Sequence, residues 1–296
     1  MSTQVSRFTA LVDQAVDVPF NWYGQGGTAD TDVDNVSVVV TDAAGDTVST
    51  GSAVGTDGVQ VYTLPAQSAP GVFYLTWTDD DGNETRQSVV EVVGNFLFDE
   101  YDARNRAIKG VNPLSDGSAY PDDLINAGRT QVSDMFELRT GRSFVRRYCR
   151  AEFAGTGGRY LWAADGIARS SGKRTLAGIG RVRDLITVTA CTVNGVAQTA
   201  SDIVTDPWGF HHTNGYFTRA MSSSPFNVVV EYEYGQDPTP YEAQEEGLKM
   251  LFSNVVPSDV ASRATSMSNE DGTFRLTTFP RTVEEFLRAN DVRGIL

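Results

Sequence analysis

Side chains able to do acid–base or metal chemistry are few in this sequence, and their spacing fits no catalytic arrangement. The two histidines, His211 and His212, are adjacent. Adjacent side chains on a strand point to opposite faces, so this pair is not expected to share a metal ion or to build a catalytic triad. The patterns GxSxG, Walker A and HExxH do not occur. We therefore predict that the chain is not an enzyme and holds no cofactor.

Two further sets of residues invite a metal-binding interpretation. Alternating acids at 30–35 offer oxygen ligands to Ca²⁺, but the EF-hand pattern fails because Asn35 stands where Gly is needed and Thr41 where Glu belongs. We interpret the stretch as a solvated acidic loop and predict no metal site. Cys149 and Cys191 form neither CxxC nor metal-ligand spacing. We expect both to be small buried side chains in a reducing compartment.

A loop at 168–183, rich in Ser and Gly, carries the densest group of basic side chains. These side chains could contact DNA or an acidic neighbouring subunit, and the alternative is a solvated loop with exposed cations. The five residues are Arg169, Lys173, Arg174, Arg181 and Arg183.

Composition limits the class of protein. The chain has 296 residues, 40% of them hydrophobic, which is enough for two domains with real cores. The net charge of -14 disfavours a protein that grips a nucleic-acid backbone, because such binding relies on Lys and Arg. No run of 18 apolar residues predicts a transmembrane helix, and the first residues have no basic-then-apolar signal segment.

The first 95 residues predict an all-β sandwich. Short segments with alternating apolar side chains are separated by Gly- and Asp-rich turns, which is typical of an immunoglobulin-like or fibronectin-like domain. This part carries two basic and thirteen acidic residues, whereas the rest carries 22 basic and 25 acidic. The predicted strands lie at 8–12, 18–22, 36–40, 59–64, 71–78 and 87–93.

One long helix is predicted at 120–141, and it is the element around which the second domain is organised. Pro121 suits the first turn, two aspartates follow at the positive end of the helix dipole, and Gly141 supplies a left-handed stop. Apolar side chains recur at steps of three and four and predict one buried stripe. Its members are Leu124, Ile125, Gly128, Val132, Met135, Phe136 and Leu138.

The rest of a second domain, 96–256, is predicted to combine β-hairpins with a second helix. A connector containing Phe96, Leu97, Phe98 and Tyr101 precedes the long helix, and strands follow it. Asn194-Gly195 is a strong type I′ hairpin signal. The second helix, at 240–254, is expected to pair with the first, because Gly128 and Gly247 permit close approach.

The last forty residues, 257–296, predict an extended arm with a short terminal helix. The segment is rich in Ser, Thr and Asn and has isolated apolar residues. We expect it to bind a partner by strand addition, and the alternative is packing on its own domain. Thr282 and Glu285 predict a capping box for a helix at 283–290.

The order of these elements resembles the head-to-tail adaptor proteins of long-tailed bacteriophages, especially those that infect actinobacteria. The resemblance covers roughly 98–296 and rests on RTGRSF at 139–144, NVVVEY at 227–232 and RATSMSNEDGTFRL at 263–276. The sandwich at the front is an addition to the usual adaptor pattern. The fold expected is therefore α+β: an immunoglobulin-like sandwich, an adaptor core of two main helices with β-hairpins, and an extended C-terminal arm.

The resemblance implies a structural virion protein of the phage neck. It implies a homo-oligomeric ring, of about twelve copies as in that family, docked on the portal and continuous with a head–tail stopper or other neck protein. Genomic DNA would pass through its channel without sequence-specific binding. The residues expected to contact the portal or another partner through the arm are Phe274, Arg275, Leu276, Phe279, Phe286, Leu287, Ile295 and Leu296.

A different class of function is also open at this point. The sandwich could be a carbohydrate- or cell-surface-binding module, with Trp22, Tyr23 and Trp77 as platforms for sugar rings. This alternative needs no large ring assembly.

Overall fold

The computed structural model of the chain is mainly β, with a few helices. It describes residues 6–22, 35–56, 58–79, 84–106, 113–118, 120–163, 167–168, 184–206, 208–221, 225–255 and 280–291. Contacts divide the chain into two compact units. The β unit comprises Met1–Gly94, Arg146–Gly180 and Ile186–Glu233, and the helical unit comprises Asn95–Val145, Arg181–Leu185 and Tyr234–Leu296. The predicted boundaries after 95 and 256 stay a prediction, because this division follows contacts and not chain order.

The first part of the β unit is an all-β, immunoglobulin-like sandwich, as predicted. One sheet has the order β1-β8-β7-β3-β4, with β1 parallel to β8 and the other pairs antiparallel; the facing sheet has the order β2-β6-β5. The strands are β1 (Ser6–Leu11), β2 (Val16–Asn21), β3 (Val36–Thr41), β4 (Thr47–Ser52), β5 (Val54–Thr56), β6 (Val59–Leu64), β7 (Gly71–Asp79) and β8 (Thr85–Val93).

Alternation of side chains builds the sandwich core. In β7 every second residue is buried, from Gly71 to Asp79, because one face of each antiparallel strand turns inward. Strand β4 was not predicted, since its sequence TVSTGS has no apolar alternation and its side chains are mostly exposed. It forms because β3 offers a free edge, which β4 pairs in register at Ser49–Ser52.

The tryptophans of the sandwich lie in its core, and the expectation that they are sugar platforms is wrong. Trp22 is 3% exposed and Trp77 is fully buried. Phe20 stacks on Trp77 with ring centroids 5.2 Å apart, and the Trp77 indole N–H donates to Ser88 Oγ at 2.8 Å. Large aromatic rings bury the most apolar area per residue, so they fill the space between the sheets. Tyr23, the third residue of that prediction, lies outside the described residues.

The second part of the β unit has two further sheets. A five-stranded sheet has the order β11-β9-β16-β12-β13, and a three-stranded sheet has the order β10-β15-β14. The predicted Asn194-Gly195 turn joins β12 and β13, and both residues have the positive φ of a type I′ turn, 53° and 76°. The strands are β9 (Arg147–Phe153), β10 (Tyr160–Trp162), β11 (Ile167–Ala168), β12 (Leu185–Val193), β13 (Val196–Gln198), β14 (Ile203–Asp206), β15 (Gly209–His212) and β16 (Val228–Tyr234).

The helical unit is built around the predicted long helix. Its described helices are α1 (Glu100–Asn105), α2 (Asp122–Thr140), α3 (Tyr241–Val255) and α4 (Arg281–Ala289). The stop of α2 agrees with the prediction, since Gly141 has φ 70° and donates its N–H to Glu137 O at 2.8 Å. The helix starts one residue later than predicted, because Pro121 is its N-cap and not its first helical residue. None of the helices in the described part of the chain is long and apolar enough to cross a membrane.

The predicted stripe of α2 is correct at its centre and wrong at its edges. Ile125, Val132 and Phe136 are fully buried, whereas Leu124 is exposed and Leu138 is 68% exposed. Leu138 lies two residues beyond Phe136, which turns it about 200° around the helix axis, away from the core. Periodic spacing alone therefore gave a stripe that was too wide.

Helix α3 packs on α2, but Gly247 serves a different contact from the one predicted. A Cβ at Gly247 would lie 2.8 Å from Leu97 and 3.2 Å from Phe98, so this glycine admits the connector that precedes α1. Leu97 and Phe98 are buried, whereas Tyr101 is 73% exposed. The connector thus contributes directly to the core of the helical unit.

Candidate functional site

Most residues predicted to form partner contacts lie outside the described part of the chain. This applies to all five basic residues of the loop, Arg169, Lys173, Arg174, Arg181 and Arg183, and to Phe274, Arg275, Leu276, Phe279, Ile295 and Leu296 of the arm. The acids at 30–34 are outside it as well. Within the described residues, no group of three or more His, Cys, Asp or Glu side chains could hold a metal ion.

Phe286 and Leu287 are described, and they pack in the core of the chain's own helical unit. Leu287 is 6% exposed, and the Phe286 ring lies 5.8 Å from Phe136 and 5.4 Å from Phe144. This corrects the expectation that the two side chains project from the domain as a free surface for the portal. The apolar stripe of a nine-residue helix requires cover, and the nearest cover is α2 and α3.

The capping box predicted for this helix is also absent. Pro280 is the N-cap of α4 and has no side-chain capping bond. Thr282 donates its hydroxyl to Glu246 Oε2 of α3 at 2.9 Å, and Glu285 pairs with Arg281. The two residues therefore serve contacts other than the first-turn N–H groups that a capping box satisfies.

An exposed face of the three-stranded sheet is the most distinctive surface of the described residues. We call it the aromatic face and define it by Tyr160 and Trp162 of β10, Val204 of β14 and His211 of β15. Trp162 is 53% exposed, Val204 is 49% exposed and His211 is exposed. The Tyr160 and Trp162 rings meet edge to face with centroids 4.8 Å apart.

Strand register brings these side chains to one face. Tyr160 lies opposite His211, and His211 lies opposite Val204. Residues paired across a sheet share a face, and neighbours along a strand alternate. The opposite face is buried, with Leu161 and Phe210 as its members. The prediction that the adjacent histidines point to opposite faces is confirmed, since His211 is exposed and His212 is 4% exposed.

Asp206 fixes one end of the aromatic face. Its Oδ1 accepts hydrogen bonds from the Tyr160 hydroxyl at 2.8 Å and from the N–H groups of Trp208 and Gly209 at 2.7 and 2.9 Å. Burial raises the pKa of Tyr160, and the hydrogen bond to Asp206 raises it further. The phenol is therefore neutral at physiological pH, and the oxygen of Asp206 that faces it is already engaged.

Gly209 lets the first strand of the face approach the turn. A Cβ at this position would lie 2.0 Å from the carbonyl oxygen of Leu161 and 3.1 Å from the Tyr160 hydroxyl. Any other residue would therefore push β10 away from β15. Trp208, next to it in the turn, is 43% exposed, and its carbonyl accepts from the Ala163 N–H at 2.8 Å.

A second aromatic side chain with an arginine lies at the other end of β10. Arg159, just before the strand, stacks over the Tyr216 ring at 5.0 Å from its centroid. Its guanidinium also donates to Thr213 O at 3.4 Å. Tyr216 is 59% exposed, and Met221 farther along is 69% exposed. Exposed rings therefore flank the aromatic face at both ends.

The loop that leads into β10 is held by a buried asparagine. Asn227 is 6% exposed; its Oδ1 accepts from the Gly155 N–H at 2.9 Å, and its Nδ2 donates to Thr218 O at 2.8 Å and Asn194 Oδ1 at 3.0 Å. One side chain thus joins three loops. The aromatic face is consequently mounted on a well-anchored sheet and not on a free loop.

The exposed rings of this face are suited to contact with another protein. Trp, Tyr and Arg are the residues that most often dominate the free energy of protein–protein association. Trp and Tyr do so because their rings bury large areas at a low cost in side-chain entropy. A contiguous exposed apolar patch on a protein surface commonly marks such an interface. The Tyr160 hydroxyl and Asp206 Oδ1 are already bonded to groups of the chain itself.

The sequence contains one local signal for this face. The order Tyr160, Leu161, Trp162 places two aromatic rings on one side of a strand and a leucine on the other. Pairing with the strand at 209–212, which puts His211 beside Tyr160, could not be deduced from spacing. A single strand therefore does not predict the face, because the face forms only when distant strands pair.

Comparisons with known proteins identify no family for this chain. No protein-family profile and no curated protein matches the chain. One similar solved structure is described as "Structures of Clostridium thermocellum CbhA fibronectin(III)-like modules". The similarity covers 31% of this chain and 88% of the chain in that structure, with 14% sequence identity and a TM-score of 0.18. A likeness with so low a TM-score carries no argument about function.

Proposed function

We propose that this chain is a structural protein of the bacteriophage neck that assembles into a ring between the portal and the next neck protein, either a head–tail stopper or a tail component. In this proposal the virion is its location, DNA passes through its channel, and it catalyses no reaction. The sequence resemblance to head-to-tail adaptors over 98–296 motivates the proposal. The single structural observation that supports it is the exposed aromatic face on the sheet of β10, β15 and β14.

The aromatic face supports assembly in the following way. A cyclic ring joins one surface of each copy to a different surface of the next. Each copy therefore needs at least one exposed surface that can bind the neighbouring copy. Trp162, Tyr160 and Val204 form such a patch, and Arg159 adds a cation on an otherwise acidic chain. Burying it against a second copy would remove exposed rings from water at a gain of about 25 cal/mol per Å².

The acidic character of the chain is compatible with a conduit for DNA. With a net charge of -14, most of its surface repels the phosphate backbone at the distances over which salt does not screen. A repelling wall keeps DNA mobile, whereas a basic one would hold it. The alternative function, a sugar-binding sandwich, relied on Trp22 and Trp77 as exposed platforms. Both side chains are buried, so neither ring supports this alternative.

A test compares the assembly of the wild-type chain with that of a Trp162→Ser variant. We expect the wild type to sediment as a ring, alone or with the portal, and the variant to associate about 30-fold more weakly, which corresponds to about 2 kcal/mol for one central aromatic residue. The variant should unfold at the wild-type temperature, because Trp162 is half exposed.

The matched control is Tyr241→Ser, which removes another exposed aromatic residue far from the sheet in sequence. Tyr241 is 64% exposed and lies in the helical unit. It should leave assembly unchanged. A wild-type chain that stays monomeric with and without the portal would contradict the proposal.

A further inference from the structure

A further exposed apolar surface lies on the sandwich, along the edge where the chain passes from one sheet to the facing one. Strand β4 is at the end of one sheet and β5 at the end of the other, and Ala53 alone separates them in the chain. Exposed valines flank this edge on both sheets. We call this surface the valine edge and define it by Val39, Val48, Val54 and Val59, which are 38, 41, 79 and 44% exposed.

The valine edge is almost free of charge within a strongly acidic part of the chain. Of the thirteen acidic residues among the first 95, only Asp57 lies within 47–64, and no basic residue does. Edge strands of soluble proteins are usually protected by charged side chains or proline, which prevent pairing with another chain. Strand β4 has neither. An apolar edge without this protection indicates a surface that another molecule covers.

The aromatic face has the same character. None of its four members is an acidic residue, lysine or arginine. Among the described residues, none accepts a hydrogen bond from the Trp162 indole N–H, whereas a tryptophan that is buried usually has such a partner. The outer side of an edge strand presents unpaired carbonyl oxygens, and one of these can accept this N–H when the ring is buried.

We propose that the aromatic face of one copy packs against the valine edge of the next copy in the assembled ring. The inference rests on the proposed ring and names the second surface of its repeated contact. Both surfaces belong to the β unit and are exposed there, so they can meet only between copies. Contact between two different surfaces closes a ring, whereas two valine edges paired with each other would give a two-fold dimer.

Charge favours this pairing over contacts that use the helical unit. Two copies with a net charge of -14 each repel one another, and like charges brought together at a contact cost free energy. Pairing two surfaces with few charges avoids that cost and buries apolar side chains on both. In the helical unit, by contrast, the exposed Tyr101 lies between Glu100 and Asp102 in the sequence. The exposed Tyr241 is followed by Glu242.

A photo-cross-linker on the aromatic face can identify the surface that it contacts. Trp162 is replaced by p-benzoylphenylalanine, which keeps an aromatic side chain at this half-exposed position. The ring is irradiated, and covalent dimers are isolated on a denaturing gel, so that only links between copies are analysed. Chymotrypsin cleaves after Tyr23 and Tyr62, and the peptide 24–62 contains the whole valine edge. We expect this peptide in the cross-linked product, with the link within 39–59.

The control places the same cross-linker at Tyr241, which is 64% exposed and lies in the helical unit. It should give no link to the peptide 24–62. A ring whose links from position 162 all map outside 39–59 overturns the pairing and leaves the proposed function standing. A chain that stays monomeric with and without the portal overturns both.

A matched pair of substitutions gives an independent measurement. Val54→Lys should weaken the association of copies about 30-fold or more, because the contact would bury a cation without a partner. Val196→Lys makes the same change at a single exposed valine of β13, 64% exposed, and should leave association unchanged. Both variants should unfold at the wild-type temperature, since both side chains are mostly exposed. Equal effects of the two substitutions on association would overturn the pairing.

Discussion

Arg147 of β9 donates to both carboxylate oxygens of Glu91 of β8, at 3.3 and 3.4 Å, and both side chains are more than 90% buried. Arg7 of β1 reaches the same carboxylate. The last strand of the sandwich is therefore joined, inside the β unit, to the first strand of the next sheet by a buried ion pair. Such a pair is costly to break, because removing one partner leaves the other charged and buried.

The first prediction concerns this pair. Arg147→Met should lower the free energy of unfolding by about 3 kcal/mol, the low end of the range for breaking a buried pair, since Arg7 still reaches Glu91. Urea unfolding followed by circular dichroism measures it. Arg150→Met is the control, because Arg150 pairs with Glu231 at 3.3 Å where both side chains are 23% exposed, and it should cost about 1 kcal/mol or less. Equal losses for the two variants would contradict the prediction.

The second prediction concerns the indole of Trp77. Ser88→Ala removes the only acceptor that the structure shows for its buried N–H, at 2.8 Å. An unpaired buried donor costs about 1–3 kcal/mol, so the melting temperature of the chain should fall by several degrees. Ser52→Ala, on the exposed edge strand β4, should leave it unchanged. Differential scanning calorimetry compares the two variants.

Local signals in the sequence predicted the elements whose ends are marked by special residues. The long helix begins after Pro121 and ends at Gly141 because these residues act through backbone geometry alone. The Asn194-Gly195 turn is of the same kind. Strand β4 and the short helix α1 were not predicted. Strand β4 forms because it pairs with a neighbouring strand edge, and α1 depends on an N-cap by Asp99 that composition does not single out.

Tertiary placement was the part that sequence could not supply. Trp77 and Trp162 look alike as single tryptophans on alternating strands, yet one is fully buried and the other is half exposed. The difference lies in what covers each sheet face, which is set by the pairing of distant segments. For the same reason the C-terminal helix was predicted to belong to an extended arm, whereas its Phe286 ring packs on Phe136 and Phe144.

The third prediction concerns the C-cap of α2. Gly141 has φ 70°, a conformation that costs an L-residue with a Cβ about 1 kcal/mol. Gly141→Ala should therefore lower the free energy of unfolding by about 1 kcal/mol. Gly141→Asn should cost less, because asparagine adopts the left-handed conformation more readily. Thermal unfolding that ranks Asn below Ala in stability would contradict this account.

The fourth prediction concerns the two thiols. Cys149 and Cys191 are 5% and 2% exposed, so neither should react with a thiol reagent at pH 8 until the chain unfolds. Burial also raises the pKa of Cys191 to about 11. Because the unfolded thiol loses its proton at lower pH than the folded one, this group favours unfolding progressively as pH rises from about 9 to 11.

Replacing Cys191 with alanine isolates the contribution of this thiol to the pH dependence of the free energy of unfolding. The wild type should lose more stability between pH 8 and pH 10.5 than Cys191→Ala does, as measured by urea unfolding at each pH. A native chain that reacts with one equivalent of reagent at pH 8 would show that a thiol is accessible and would contradict the prediction.

The fifth prediction concerns how firmly α4 is held. Leu287→Ala deletes a buried side chain at a cost of about 2–3 kcal/mol, near the low end for such changes because α4 is short and its site can relax. The loss should appear as local opening, since few residues bind this helix. Amide exchange across Arg281–Ala289 should accelerate by about 30- to 150-fold, while exchange in the middle of α2 should be unchanged.

The control is Arg288→Ala, which removes an exposed ion pair with Glu284 and should accelerate exchange about twofold at most. If both variants leave amide exchange at the wild-type rate, the apolar contacts of α4 do not hold it in place.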